Sequence, residues 1–500
     1  MIRRMVVATG LTLALLLGVW VLLGGQAPAV KAAGGVFYVA TDGNDGRTCA
    51  SVAQRCRTIQ RALDAAEPMD EIRVAGGTYG GGTGKVIIAK TATLLGGWAP
   101  GFALRDPLLY PTTLDAEGTG RVMTIGQGIS PTIDGFVLTG GNATHEPTGA
   151  GKGGGIYSEA SSPIIRNNVI MLNTSSISPT SGSGGGIYVQ GASASAVISG
   201  NRVLSNTCHT KRWDDGGGGL YLERSDLLVQ GNLVAGNTSD RVGGGLHIGW
   251  DGAPRIVGNE IRANEAQHNG GGIYANCTSW PRIEGNLIAG NRAGYYAGGI
   301  LLSNGPEATV DGNQIVDNRS NICGGLLLES YKPYTVTNNV IARNEGGGIR
   351  IWDTTRTGLV AHNTVVYNTG TDGGIIVAEP HITPTVVNNI VAFNSWGIRA
   401  DSDAAGTLDY NDVWSNTEGD YDLPGALEPG VHDLQAAPRF VNGSAGNYHL
   451  KPDSPCVDRG MDAGVTVDMD GHRRPIGAGY DIGADEWMSI RVFVPLVRRR

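Results

Sequence analysis

The hexapeptide pattern Asn-x-(Ile/Val)-x-x-Asn returns ten times in this chain, with its first Asn at 168, 201, 232, 259, 286, 313, 339, 363, 389 and 411. Between copies lies a glycine run that ends in an aliphatic residue, as in Gly153-Gly154-Gly155-Ile156-Tyr157 and Gly270-Gly271-Gly272-Ile273-Tyr274. That aliphatic anchor falls at 156, 187, 220, 246, 273, 300, 326, 349, 375 and 398, so the period is 31 and 33 residues at first and then 23–27. Such a period holds two or three short strands and their turns but no useful helix. Apolar and polar residues alternate within each period, which marks half-buried strands. One period buries five or six aliphatic side chains, roughly 10–15 kcal/mol gross, while ordering its backbone costs about 1–2 kcal/mol per residue. A lone period therefore cannot stand. The periods must stack about ten deep.

Coils of one chain that stack strand on strand form parallel sheets, and such crossovers are right-handed almost without exception. The expected fold is all-β: a single-stranded right-handed parallel β-helix, a solenoid with a cap at each end. The asparagines serve the corners, through tolerance of left-handed backbone and through amide ladders along the coil axis. Residues 58–66 place Ile59, Ala62, Leu63 and Ala66 on one helical face, suited to covering the first coil. The chain divides into 1–33, a signal peptide or uncleaved anchor; 34–130, an N-terminal cap with irregular rungs; 131–417, the repeats; 418–487, a β/turn cap; and 488–500, an apolar and basic tail. Arg3 and Arg4 before the apolar run to Leu23, then Ala27-Pro28-Ala29, carry the export reading. Cys49 and Cys56, close together in one loop, are expected to form a disulfide once exported. Cys208, Cys277, Cys323 and Cys456 lack the spacing of a metal cluster and read as buried thiols or a pair between rungs.

A net charge of -8 excludes a nucleic-acid partner, which needs a basic face, and leaves membrane contact to the two terminal segments. With 79 glycines, 41% hydrophobic and 17% charged residues, the chain is too apolar for disorder. Two surfaces carry candidate chemistry. Five residues before successive anchors stand Asp215, Arg241, His268, Tyr295 and Asn321, and one residue earlier stand Asp214, Asp240, Gln267, Gly294 and Ser320. Neighbouring coils lie about 4.8 Å apart, so Asp214, Asp215 and Asp240 crowd one edge. Hard oxygens so clustered suit Ca²⁺, with Arg241 or His268 as catalytic proton acceptor from a uronic acid. The plainer reading is a set of turn residues with an Asp215–Arg241 surface pair worth at most about 1 kcal/mol; no cofactor is then required. Directly after the anchors come Tyr157, Tyr188, Tyr221, His247 and Tyr274, with Glu159 and Glu223 two residues further on. Aromatic faces beside carboxylates suit a polysaccharide or envelope glycan, although cross-strand stacking alone also stabilises a sheet.

The segment from Tyr38 to Tyr79, the two repeated motifs and the closing Asp481-Ile482-Gly483-Ala484-Asp485-Glu486 block together resemble bacterial secreted right-handed parallel β-helix repeat proteins of the pectate-lyase-like fold group. The C-terminal block is similar to a choice-of-anchor segment, and the final Pro495-Leu496-Val497-Arg498 to a surface-sorting tail. The resemblance implies an extracellular or cell-surface home and little chemistry. Polygalacturonase-type Gly-His-Gly and Arg-x-Lys motifs do not occur. The expected role is a non-catalytic, adhesin-like surface for glycan, with a calcium-dependent polysaccharide lyase or other carbohydrate-active enzyme as the alternative and an architectural stalk as a third.

Overall fold

Three parallel sheets wind around a continuous apolar core in a computed structural model. It describes residues 34–488 except 178–180, 277, 305–307, 330–331, 353–357, 380–381, 402–403 and 426. Sheet A has fourteen strands, from Val36–Val39 to Thr407–Asp409; sheet B has thirteen, from Gly77–Gly80 to Asp412–Trp414; sheet C has thirteen, from Val86–Ile88 to Gly419–Asp422. Each strand pairs only with its counterparts one coil away, as in Ile165↔Ile198 and Val229↔Ile256. The stack is deeper than ten coils because the irregular segment before residue 131 pairs in the same register, so no sheet breaks at that boundary. A short fourth sheet links Thr207–Cys208, Thr238–Ser239, Glu265–Ala266 and Arg292–Ala293 between sheets B and C.

Inward-facing aliphatics repeat coil by coil, Ile165, Ile198, Val229, Ile256 and Ile283 in sheet A and Ile170, Val203, Val234, Ile261 and Ile288 in sheet B, all buried. The ten motif copies build two asparagine ladders at the corners flanking sheet B. Each Oδ1 accepts both the backbone N–H and the Nδ2–H of the Asn one coil earlier, as Asn291 does from Asn264 at 3.0 and 2.9 Å. Each Nδ2 in turn donates to the next Oδ1 and to a carbonyl one coil back. The ladders end on Asp433 and Asp420, which accept from Asn411 and Asn416. The last rung has nobody to donate to, so an acceptor-only carboxylate completes it. Left-handed backbone falls one residue earlier than expected: Leu172, Ser205, Ala263 and Phe393 have φ of 56, 51, 52 and 59° just before ladder asparagines. Non-glycine residues there cost about 1–2 kcal/mol each, which the buried amide bonds offset. The glycine runs let coils approach: a Cβ on Gly272 would stand 2.7 Å from the Gly299 carbonyl oxygen.

Helix α1, Ile59–Ala65, is capped by the Thr58 hydroxyl and buries Ile59, Ala62 and Leu63 over the first coil. Cys49 and Cys56 are disulfide-bonded. Cys208, Cys323 and Cys456 are buried free thiols, and Cys277 lies outside the described residues, as do the proposed signal segment and nearly all of the C-terminal tail. Among the described residues no helix is long and apolar enough to cross a membrane. The C-terminal block departs from a simple end cap. Tyr421, Leu423 and Leu427 close the core, whereas Phe440, Tyr448, Leu450, Ile482 and Ala484 fold back onto the outer side of sheet B against Val340, Val366 and Ile390. There Arg474 and Glu486 form a fully buried ion pair at 2.8 Å, and Arg474 also donates to Asn338.

Candidate functional site

The tyrosine column forms as a stack but not as an open face. Tyr157, Tyr188 and Tyr221 lie parallel with ring centroids 5.5 and 5.3 Å apart, and His247 and Tyr274 continue the column edge-on at 4.4 and 5.0 Å. These five residues are 0–5% exposed. The long early coils fold their insertions across this side of sheet C: Lys152 donates to the Tyr188 hydroxyl at 2.8 Å, Arg121 lies over the Tyr157 ring at 4.5 Å, and the Tyr221 hydroxyl donates to the Asp214 carbonyl at 3.3 Å. Glu159 and Glu223 accept from the Tyr157 and Tyr188 hydroxyls, which occupies them. Burial pushes the His247 imidazole down to about 3, so it is neutral. The expectation that this column meets a glycan therefore needs correction. It is a sealed stack, because insertions whose path sequence does not specify lie on top of it.

The carboxylate edge is also rearranged. Asp215 accepts from Ser181 and Ser183 at 3.0 and 3.2 Å and faces Arg212 at 3.6 Å rather than Arg241. Burial raises the Asp215 carboxyl above its ordinary value. Asp214 contacts Arg212 at 3.5 Å, and Asp240 contacts His209 at 3.1 Å and Gln267 at 3.3 Å. Asp214, Asp215 and Asp240 do not bring ligand oxygens within 4.8 Å of one another, so this trio does not form the expected Ca²⁺ cluster. The cause is local: each carboxylate is already turned toward a neighbour on its own or the adjoining coil.

Arg241 and His268, by contrast, come together. The Arg241 guanidinium donates to His268 Nε2 at 2.7 Å and lies 4.3 Å from the Trp213 ring centroid. Trp213 meets His268 edge-on at 4.7 Å, and His268 stacks on Tyr295 at 5.2 Å with the rings 6° from parallel. Burial, then the Arg241 charge, holds the His268 imidazole below its usual range, consistent with a neutral ring accepting from arginine. Trp213 and Tyr295 are 58% and 54% exposed. The adjoining bridges Val242↔Asn269↔Tyr296 hold Arg241, His268 and Tyr295 at one-coil steps. The result is a row of guanidinium, imidazole and phenol along the coil axis, half-buried at Arg241 and His268 and exposed at Tyr295, with the exposed Trp213 indole laid against the first two. Exposed rings stack on the apolar faces of sugars, and arginine beside them supplies hydroxyl- or carboxylate-directed donors. Trp213 escaped the sequence reading because it lies on an insertion outside the aligned columns. Its signal was an aromatic residue beside Asp214-Asp215 on one of the longest loops.

A model of the right-handed β-helix region matches residues 125–266, and a model described as periplasmic copper-binding protein (NosD) matches residues 214–419. With the sheet topology above, this decides the fold. The chain is a right-handed parallel β-helix protein. No curated protein matches it. Among solved structures it is similar to pectate lyase Pel9A at 15% identity, with 91% of this chain and 96% of that one covered and a TM-score of 0.36. The PL6 family alginate lyase AlyGC gives 13% identity, 84% and 57% coverage and 0.49. The periplasmic alginate epimerase AlgG gives 13%, 72% and 75%, and 0.41. None of these similarities bears on chemistry. Within 214–419, no three His, Cys, Asp or Glu side chains among the described residues bring ligand atoms together, and copper enters no step below. The disulfide belongs to an oxidising, extracytoplasmic setting.

Proposed function

We propose that this protein is an exported, non-catalytic glycan-binding β-helix that engages polysaccharide or envelope glycan along the Trp213–Arg241–His268–Tyr295 edge. The supporting observation is the row itself. Two large aromatic side chains, Trp213 and Tyr295, remain in solvent beside the half-buried Arg241 and His268 and have little to contribute to the core. Each coil step is about 4.8 Å, close to the length of a sugar ring, so an extended chain of sugars laid along the axis meets a ring or a donor at every residue. Gln267 and Asn321 flank the ladder and add amide groups for hydroxyls.

The test is pull-down on insoluble neutral and acidic polysaccharides with the wild-type chain and with Trp213→Ala plus Tyr295→Ala. Both side chains are exposed, so the fold survives their loss. Retention falls at least tenfold if the edge binds, and equal retention rejects the proposal. One observation keeps the lyase alternative in view: the neutral His268 imidazole holds the Arg241 guanidinium on Nε2, and that nitrogen becomes a proton acceptor when the guanidinium turns to a substrate carboxylate. Ultraviolet-absorbing unsaturated product from a uronate polymer, lost in His268→Gln, would favour that reading over binding alone.

A further inference from the structure

We propose that His449, Asp470 and Asp485 form a binding site for one divalent first-row transition cation of the Zn²⁺ type. The three come from separate segments of the C-terminal block: the strand Asn447–Leu450, the loop around Gly471 and the closing 481–486 block. One ligand atom from each lies within 4.8 Å of the other two. The site lies outside residues 214–419, which the copper-binding family model matches.

Hydrogen bonding fixes the tautomer of His449. Asn447 Oδ1 accepts the His449 backbone N–H at 3.2 Å, which identifies that atom as oxygen, and His449 Nδ1 lies 2.6 Å from the same oxygen. Nδ1 therefore carries the hydrogen. In the neutral ring Nε2 then points its lone pair at Asp470 Oδ2, 2.8 Å away. Two acceptors at that distance repel unless a proton or a metal cation lies between them. An Nδ1–H held by an acceptor while Nε2 faces a carboxylate oxygen is an arrangement that orients metal-binding histidines. Asp485 is supported in the same manner, since its Oδ2 accepts the Leu450 N–H at 2.7 Å.

Within the described residues of the block, Asp468, Asp481, Asp485 and Glu486 are buried, and Arg474 is the one buried lysine or arginine. A dication at Asp485 and Asp470 adds positive charge beside these carboxylates. A cavity of about 280 Å³, lined in part by His449 and Asp470, gives access and room for water ligands. Imidazole favours a first-row transition ion over Ca²⁺, which takes six to eight oxygens. The neighbouring triad Asp468, Asp470 and His472 shares Asp470. Asp468 there is engaged by the backbone N–H groups of Asp470, His472 and Glu486, so it shapes the loop.

The test is calorimetric titration of the full chain with ZnCl₂, and in parallel CaCl₂, at pH 7.5. Wild type should bind one Zn²⁺. His449→Gln and Asp470→Asn should bind at least tenfold more weakly, and His472→Gln should match wild type. X-ray absorption of the Zn²⁺-loaded chain should show nitrogen and oxygen ligands only, a readout that stands even where a variant fails to fold. Absence of saturable Zn²⁺ binding, full binding by His449→Gln, equal loss in His472→Gln, preference for Ca²⁺ or sulfur in the zinc shell would each overturn the site.

Discussion

Replacing Asn291 by alanine tests the asparagine ladder in mid-stack. Its Oδ1 accepts from Asn264 N and Nδ2 at 3.0 and 2.9 Å, and its Nδ2 donates to Ile261 O and Asn318 Oδ1, both at 2.9 Å. Asn318 Oδ1 keeps a second donor in the Asn291 backbone N–H, and Asn264 Nδ2 keeps Val234 O. Alanine therefore strands two donor hydrogens of Asn264 in a dry corner. Each unsatisfied buried group costs about 1–3 kcal/mol, so the loss is roughly 2–6 kcal/mol. Asn291→Asp keeps the acceptor but turns a carboxylate toward Ile261 O and Asn318 Oδ1, and should be at least as damaging. Asp420→Asn, at the ladder end, keeps the oxygen that Asn416 uses and should change stability by less than about 1 kcal/mol. Urea unfolding followed by far-ultraviolet circular dichroism, with Gln230→Ala as exposed control, measures all three. Asn291→Ala within about 1 kcal/mol of wild type would refute the reasoning.

Three other outcomes follow from the same geometry. Burial raises the Asp412 carboxyl to about 7; against about 4 in the unfolded chain, the folded state binds the extra proton. Stability is then fullest below pH 4 and declines as pH rises through 7, and Asp412→Asn should flatten that slope in thermal melts. Reducing the Cys49–Cys56 disulfide reopens a short loop, at a cost of about 2.5 kcal/mol, seen as faster proteolysis within 40–57 while sheet C resists. Tyr188→Leu should destabilise the chain by about 1–3 kcal/mol, through lost stacking and unpaired Glu223 and Lys152, without weakening glycan retention by folded protein.

What sequence revealed was what repeats. Asn168 to Asn416 and the glycine anchors each recur in every coil, so periodicity alone determined the stacking, the amide ladders and the parallel pairing. The early strands such as Thr93–Trp98 carry no motif and join the stack only through register, which is why the coil count came out short. The tyrosine column does lie on the outward side of sheet C; its burial depends on where Lys152, Arg121 and the 207–215 insertion cross it, a tertiary fact with no local signature. Arg241 and His268 lie side by side because they share a register position on adjoining coils. Trp213 was missed because it does not. The return of Ile482 and Ala484 onto sheet B likewise rests on contacts more than a hundred residues apart, such as Ala484 N–H to the Thr364 hydroxyl.

Hydrogen–deuterium exchange of the chain with and without a candidate oligosaccharide tests most directly whether glycan binds the Trp213–Tyr295 edge. Protection should appear in the peptides holding 207–215, 238–242, 265–269 and 292–296, and vanish in Trp213→Ala plus Tyr295→Ala. Protection confined to any other face, or none at saturating ligand, would contradict the account.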